Sequence, residues 1–121
     1  MVPGQRVVLT FDVFPRRGMH VYAPGSKYKP IAITLRPHAS LKASETVYPP
    51  ASRYYFEPLN ETVDVYDKPF RMMIELVAAT ASTGPSMRLA GALDYQACDD
   101  RVCYLPESIP FEWTIRVQRL P

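Results

Sequence analysis

From Gln5 to Phe14 the chain alternates between two sets of side chains. Val7, Leu9, Phe11 and Val13 fall on one side and Val8, Thr10, Asp12 and Phe14 on the other, the period-two pattern of a strand with one face on a core. Pro15-Arg16-Arg17-Gly18 reads as a turn, followed by a short extended piece from Met19 to Tyr22 that Pro24-Gly25 closes. Ile31, Ile33 and Leu35 then alternate with Ala32, Thr34 and Arg36 between Pro30 and Pro37, a third strand with proline at both ends.

The pattern weakens from His38 to Asn60, where Pro49-Pro50 and Pro58 interrupt a stretch that carries Tyr48, Tyr54, Tyr55 and Phe56. This reads as a long aromatic loop with room for one edge strand, and loops of such length inside a small domain are often functional. Thr62 to Tyr66 is a strand. Phe70 to Thr80 fits period two through Phe70, Met72, Ile74 and Leu76 and also fits a helix, and its strand neighbours decide for a strand. After a turn at Ser82-Thr83-Gly84-Pro85, Met87 to Ala97 is extended. Phe111, Trp113, Ile115 and Val117 then alternate with polar residues in a terminal strand. Seven or eight short strands with proline-rich turns predict an all-β fold, an immunoglobulin-like β-sandwich. The chain shows no repeat, low-complexity tract or linker.

Composition sharpens this picture. A chain of 121 residues is one domain's worth, and 47% apolar residues can bury a core. Thirteen prolines are roughly twice the usual share. Between Pro3 and Pro69 no proline-free stretch exceeds 11 residues, which excludes an all-α fold. No apolar run is long enough to span a bilayer, so direct membrane insertion is not expected, and Met1 to Gln5 lacks the regions of a secretory signal. Fourteen basic residues nearly balance 12 acidic ones and are spread along the chain, so nucleic acid is not expected as a partner.

The candidate chemistry lies in the only two cysteines, Cys98 and Cys103. If Asp99 to Val102 make a turn, the two come opposite one another within reach of a disulfide. Closing so short a loop stabilises by only about 2 kcal/mol, a poor position for stapling. The two sheets of an immunoglobulin-type sandwich are normally bridged by cysteines far apart in sequence, which this pair is not. A structural hairpin bridge, a redox pair, and free thiols or metal ligands all remain open on spacing alone. His20 and His38 are the only histidines, and neither stands in a metal-ligand spacing with the cysteines, so no metal or other cofactor is expected and both read as surface or strand residues. No phosphate loop follows a strand, and two histidines give no recognisable hydrolase triad.

Tyr95-Gln96-Ala97-Cys98 and Cys103-Tyr104-Leu105-Pro106-Glu107 resemble the Tyr-Gln-x-Cys and Cys-Tyr-Pro-Pro elements of the N-terminal periplasmic domain of the thiol:disulfide interchange protein DsbD family, also met as the disulfide-bond-corrector domain of related membrane reductases. Gly18-Met19-His20-Val21-Tyr22 and Val63-Asp64-Val65-Tyr66 are similar to further segments of that family. Two departures stand out: Leu105 replaces the first proline, and the cysteine spacing is one residue shorter than in the best-known members.

The resemblance implies a single domain over 1–121 excised from a larger membrane or thioredoxin-fused protein, in the periplasm or another extracytoplasmic compartment. A thioredoxin-like donor would reduce Cys98 and Cys103, which would pass electrons to thioredoxin-like acceptors, with Cys103 as the attacking cysteine and Cys98 as the resolving one. It also implies a covering loop before the Val63–Tyr66 strand: counting back from Tyr66 puts Leu59 at the covering position, with Phe56 the choice if loop lengths differ and Tyr55 adding bulk. Tyr22 and Tyr104 are expected beside the pair, with Tyr95 in support. Asp99 and Asp100 would raise a thiol pKa by like-charge repulsion and Arg101 would oppose them. The rival reading is an immunoglobulin-like interaction module with a purely structural disulfide. The reduction potential separates the two, since structural bridges lie below about −300 mV.

Overall fold

The computed structural model describes residues 4–78 and 86–116. The first alternating run forms β1 (Arg6–Val13), whose partner is β7 (Phe70–Ala78), so the ambiguous segment is a strand. Leu9 sits opposite Ile74 and Phe11 opposite Met72 in an antiparallel register. The even-numbered set faces outward as the pattern requires: Val8 and Phe14 are exposed while Val7, Leu9, Phe11 and Val13 are half-buried. A short strand, β4 (Leu41–Ala43), pairs with the other edge of β7, giving the order β1-β7-β4.

A second sheet has the order β10-β8-β3, from β3 (Ala32–Leu35), β8 (Ser86–Tyr95) and β10 (Glu107–Arg116). The terminal strand begins well before Phe111 and runs through Pro110, which the edge position allows because the missing N–H leaves no interior ladder bond unmade. The third sheet has the order β5-β6-β2-β9, from β2 (His20–Tyr22), β5 (Ser52–Phe56), β6 (Glu61–Tyr66) and β9 (Ala97–Cys98). The described residues therefore hold ten strands in three antiparallel sheets, an all-β sandwich. That exceeds the seven or eight expected because β4 and β9, at three and two residues, are too short for alternation to register. The expected turn at 82–85, positions 79–80 of the strand expected over 70–80, and Val117 lie outside the described residues.

Leu41, Ile74 and Leu76 of the first sheet pack with Met87 and Leu89 of the second, while Phe11 and Trp113 contact at 4.9 Å between ring centroids. A second cluster, of Val21, Ala23, Ile31, Tyr66 and Met72, joins the third sheet to the others. Two bonds anchor the irregular segment there: its Tyr48 hydroxyl donates to Ile31 C=O at 2.9 Å, and the Tyr66 hydroxyl of β6 donates to Pro49 C=O at 2.8 Å. Between β8 and β9 the chain passes from the second sheet to the third, and that crossing carries the cysteine hairpin to the third sheet's edge.

The middle of β8 has no space for a side chain at Gly91. A Cβ there would stand 2.4 Å from the Thr34 carbonyl oxygen and 2.8 Å from Phe111 Cζ, and the first of these is backbone and cannot rotate away. Gly91→Ala should lower unfolding stability by about 1–3 kcal/mol, the range for overpacking a tight interior, measured by equilibrium denaturation.

Candidate functional site

The hairpin is tied at each level. At its base the Tyr95 hydroxyl donates to Glu107 Oε2 at 2.5 Å across a register pair of β8 and β10, and the Gln96 side-chain amide donates to Tyr104 C=O at 3.1 Å. Tyr104 N–H donates to Ala97 C=O and Asp99 N–H to Val102 C=O, each at 2.9 Å. These two bonds flank Cys98 and Cys103, which makes them a non-hydrogen-bonded antiparallel pair, the kind in which opposing residues come closest. Their Cα atoms are 4.0 Å apart, nearer than disulfide-bonded residues usually lie, and a disulfide joins them.

Asp99 closes the tip. Its Oδ1 accepts from the Arg101 and Val102 backbone N–H groups at 2.8 and 2.7 Å, and its Oδ2 from the Tyr104 hydroxyl at 3.2 Å. The two backbone N–H groups, Val102 first, hold the Asp99 carboxyl below its usual range. A depressed carboxylate contributes stability above its unfolded pKa and loses it as pH falls through the folded value, so the turn weakens only in acid. The carboxylate expected to repel a thiolate is thus engaged in shaping the turn.

The two sulfurs differ in environment. Cys98 is 0% exposed and Cys103 is exposed. Cys98 clusters with Tyr22 and Val65, and Tyr28, Tyr54 and Val63 pack on that cluster. Register explains the grouping: Tyr54 lies opposite Val63, Val65 opposite Tyr22, and His20 opposite Cys98, so one face of the third sheet carries them all. The Tyr22 hydroxyl is 3.2 Å from Cys103 Sγ and 3.3 Å from Cys98 Sγ. Neither disulfide sulfur carries a proton, so the phenol is the donor to both in turn. Burial, then Tyr28 and Glu61, push the Tyr22 pKa up and keep that proton in place. Tyr28 stacks on Tyr22 at 4.9 Å, and its hydroxyl donates to Glu61, which also pairs with Lys27 at 2.5 Å.

Of the residues expected around the pair, the structure brings Tyr22 to the sulfurs and holds Tyr104 at the hairpin tip. Phe56 is buried and shares the sulfur face of β5 by strand parity with Tyr54, although it is outside the Cys98 cluster. Leu59 ends a single 3₁₀ turn (Glu57–Leu59) and is 52% exposed. Tyr55 lies on the opposite face of β5, where its hydroxyl donates to Asn60 Oδ1 at 2.6 Å. Sequence reasoning missed Tyr54, whose ring centroid is 4.3 Å from that of His20, and Tyr28, the stacking partner of Tyr22. It placed His20 at the surface or in a strand; His20 is in β2 and buried. His38 accepts a local bond from Ser40 N–H at 3.0 Å. A groove of about 760 Å³ lined by Phe14, Met19, Leu93, Leu105 and Ile109 also takes in Val21 and Ala97, which alternate with His20 and Cys98, and so opens on the other face of β2 and β9.

Fold and site define a β-sandwich domain that displays a hairpin disulfide with one buried and one exposed sulfur. The family model for the N-terminal region of the thiol:disulfide interchange protein DsbD matches residues 1–113, and the chain belongs to that family. No curated protein matches the sequence significantly. The family's business is thiol:disulfide exchange, in general with thioredoxin-like partners, and its N-terminal domain is extracytoplasmic. No helix among the described residues is long and apolar enough to cross a membrane.

Once the pair is reduced, the Tyr22 hydroxyl is placed to donate to a thiolate, and hydrogen bonding to the charged form favours it. A hydrogen bond to a charged group is worth about 1.5 kcal/mol or more. Tyr22→Phe should therefore slow alkylation of the reduced domain by iodoacetamide at pH 7 by about tenfold, with far-ultraviolet circular dichroism unchanged.

Proposed function

We propose that Cys98 and Cys103 are the redox pair of an extracytoplasmic, periplasmic protein-disulfide reductase domain, reduced by a thioredoxin-like donor and oxidised by partner disulfides. In this reading the Cys103 thiolate attacks a partner disulfide, and one partner sulfur leaves as a thiolate while a mixed disulfide forms. Cys98 then attacks Cys103 Sγ, closing the domain's disulfide and releasing the second partner thiolate, so two electrons pass to the partner. The observation that carries the reading is the asymmetry of the pair: Cys103 is exposed, as an attacking sulfur must be, and Cys98 is wholly buried behind it, where only Cys103 is within its reach. Exposed Val102, Tyr104 and Leu105 surround Cys103 in sequence and supply an apolar rim for a docking partner. The single domain would act as one part of a larger membrane or thioredoxin-fused protein.

Cys98→Ser should accumulate a mixed disulfide through Cys103 with a thioredoxin-fold partner, seen on non-reducing gels. Trapping by Cys103→Ser alone would reverse the two roles.

In the same proposal the segment from Phe56 to Leu59 shields the pair. Phe56 sits on the sulfur face, Leu59 at an exposed tip, and Pro58 restricts the turn between them. Replacing both Phe56 and Leu59 with alanine should speed reduction by dithiothreitol severalfold while the domain stays folded. Exchange with specific partners, which displace the cover on docking, should change less. An unchanged dithiothreitol rate would assign the covering role elsewhere.

A further inference from the structure

His20 is the buried polar residue of the sulfur face, and nothing in the exchange scheme above uses it. It is 3% exposed, and its Nε2 has no hydrogen-bond partner. A buried polar nitrogen without a partner is unusual enough to need a reason. His20 stands directly opposite Cys98 in the β2–β9 register, so the two side chains project from the same face at neighbouring positions. In the disulfide state Cys98 has no proton to offer. In the reduced state it has one, and a wholly buried thiol is reluctant to ionise unaided.

We propose that His20 Nε2 is the base that takes the Cys98 thiol proton when Cys98 resolves the mixed disulfide at Cys103, an inference that rests on the exchange reading of the pair. The Cys98 S–H bond breaks and its proton moves to Nε2. The sulfur's electron pair forms the Cys98–Cys103 bond, the Cys103–partner bond breaks, and the partner leaves as a thiolate that takes up a proton from the imidazolium or solvent. The domain dithiol is oxidised and the partner disulfide reduced, with no other reactant. Tyr22 and His20 then divide the work on one face: a phenol that donates to sulfur and an imidazole that accepts from it.

The surroundings keep the imidazole neutral and ready at physiological pH. Burial lowers its pKa below the ordinary histidine value and outweighs Asp67, in the turn after β6, and Asp99, on the hairpin, which act to raise it. Tyr54 from β5 and Tyr22 on β2 are its aromatic neighbours, both with pKa values raised by burial and so uncharged at neutral pH. Val65 faces the same side from β6 and carries no charge.

The test separates attack from resolution. Reduced domain is mixed with glutathione disulfide, quenched in acid at intervals and weighed by mass spectrometry, which distinguishes the glutathione mixed disulfide from the closed product. The wild type should show little mixed disulfide at pH 7. His20→Gln and His20→Phe should form it at the wild-type rate and close it slower by about tenfold or more, the lower end of general-base effects. That deficit should vanish above about pH 10, where a thiol ionises unaided. A deficit equal at every pH would mean that His20 only packs, and closure at the wild-type rate would also overturn the proposal. Should both variants fail to fold, the wild type still decides. Its glutathione mixed disulfide, formed and held in acid, is jumped to each pH: general-base closure then gives a rate nearly level between the histidine and thiol ionisations, whereas a closure rate rising tenfold per pH unit from pH 6 to 9 refutes it. If glutathione disulfide never oxidises the reduced wild type, neither to the mixed disulfide nor to the closed product, the exchange reading itself has failed, a result distinct from every failure of the His20 step.

Discussion

Two backbone hydrogen bonds, from Tyr104 N–H to Ala97 C=O and from Asp99 N–H to Val102 C=O, set the geometry on which the site depends. They make Cys98 and Cys103 a narrow antiparallel pair and so decide that the sulfurs meet. Because Cys98 is also in register with His20 of β2, it is held inside the sheet, while Cys103 is joined to the sheet only through the hairpin and stays at its rim. A slip of one residue in the β2–β9 register would turn Cys98 to the other face, toward Val21 and the open groove, and separate it from Tyr22. The difference between the sulfurs is therefore a property of strand pairing more than of any charge near them.

Charge does act on the tip, in a way the sequence could not reveal. Two adjacent aspartates beside a cysteine suggest repulsion of a thiolate, yet Asp99 accepts three hydrogen bonds and is committed to the turn. Asp99→Asn would keep one acceptor oxygen and lose the charge, so turn shape and thiolate repulsion can be separated experimentally. His20 has the opposite linkage to a histidine paired with a carboxylate. Its pKa is depressed, so the stability it contributes is complete above the ordinary histidine pKa and declines as pH falls toward the folded value. Asp99 loses its contribution only below the carboxylate range, which leaves His20 the earlier of the two to respond as the medium becomes acid.

How far the sequence disclosed this depended on the length of each pattern. Val7 to Val13 and Ile31 to Leu35 alternate long enough to fix both a strand and its buried face, and the cysteine spacing was enough to predict a hairpin. The segment 52–56 hid its parity in three consecutive aromatics, so Tyr55 looked equivalent to Tyr54 and Phe56. Pairing with β6 separates them, placing Tyr54 and Phe56 on the sulfur face and Tyr55 behind. Pro110 masked the first residues of β10, since nothing local shows that the strand is at an edge. His20 lacked any signal, because a single histidine in a three-residue strand has no periodicity and its importance comes from Cys98, distant in sequence and opposite in register.

The same face also shows how the 57–59 turn could move without disturbing the sulfurs. Asn60 takes the left-handed conformation at φ 49°, which asparagine tolerates better than most residues, and its N–H closes the turn on Glu57 C=O at 3.0 Å. The next residue, Glu61, is bonded to Lys27 and to Tyr28, and Tyr28 stacks on Tyr22. Lys27 is largely exposed, so that ion pair is screened by solvent and opposes motion weakly. The stack of Tyr28 on Tyr22 belongs to the packed Cys98 cluster and resists it more. A displacement that begins at Leu59 and ends at Asn60 would spare the Tyr22 hydroxyl, whereas one that carried Glu61 along would pull on Tyr28. If the turn shields the pair as proposed, Asn60 is the point that would divide a displaced tip from the wall held by Tyr28 and Tyr22.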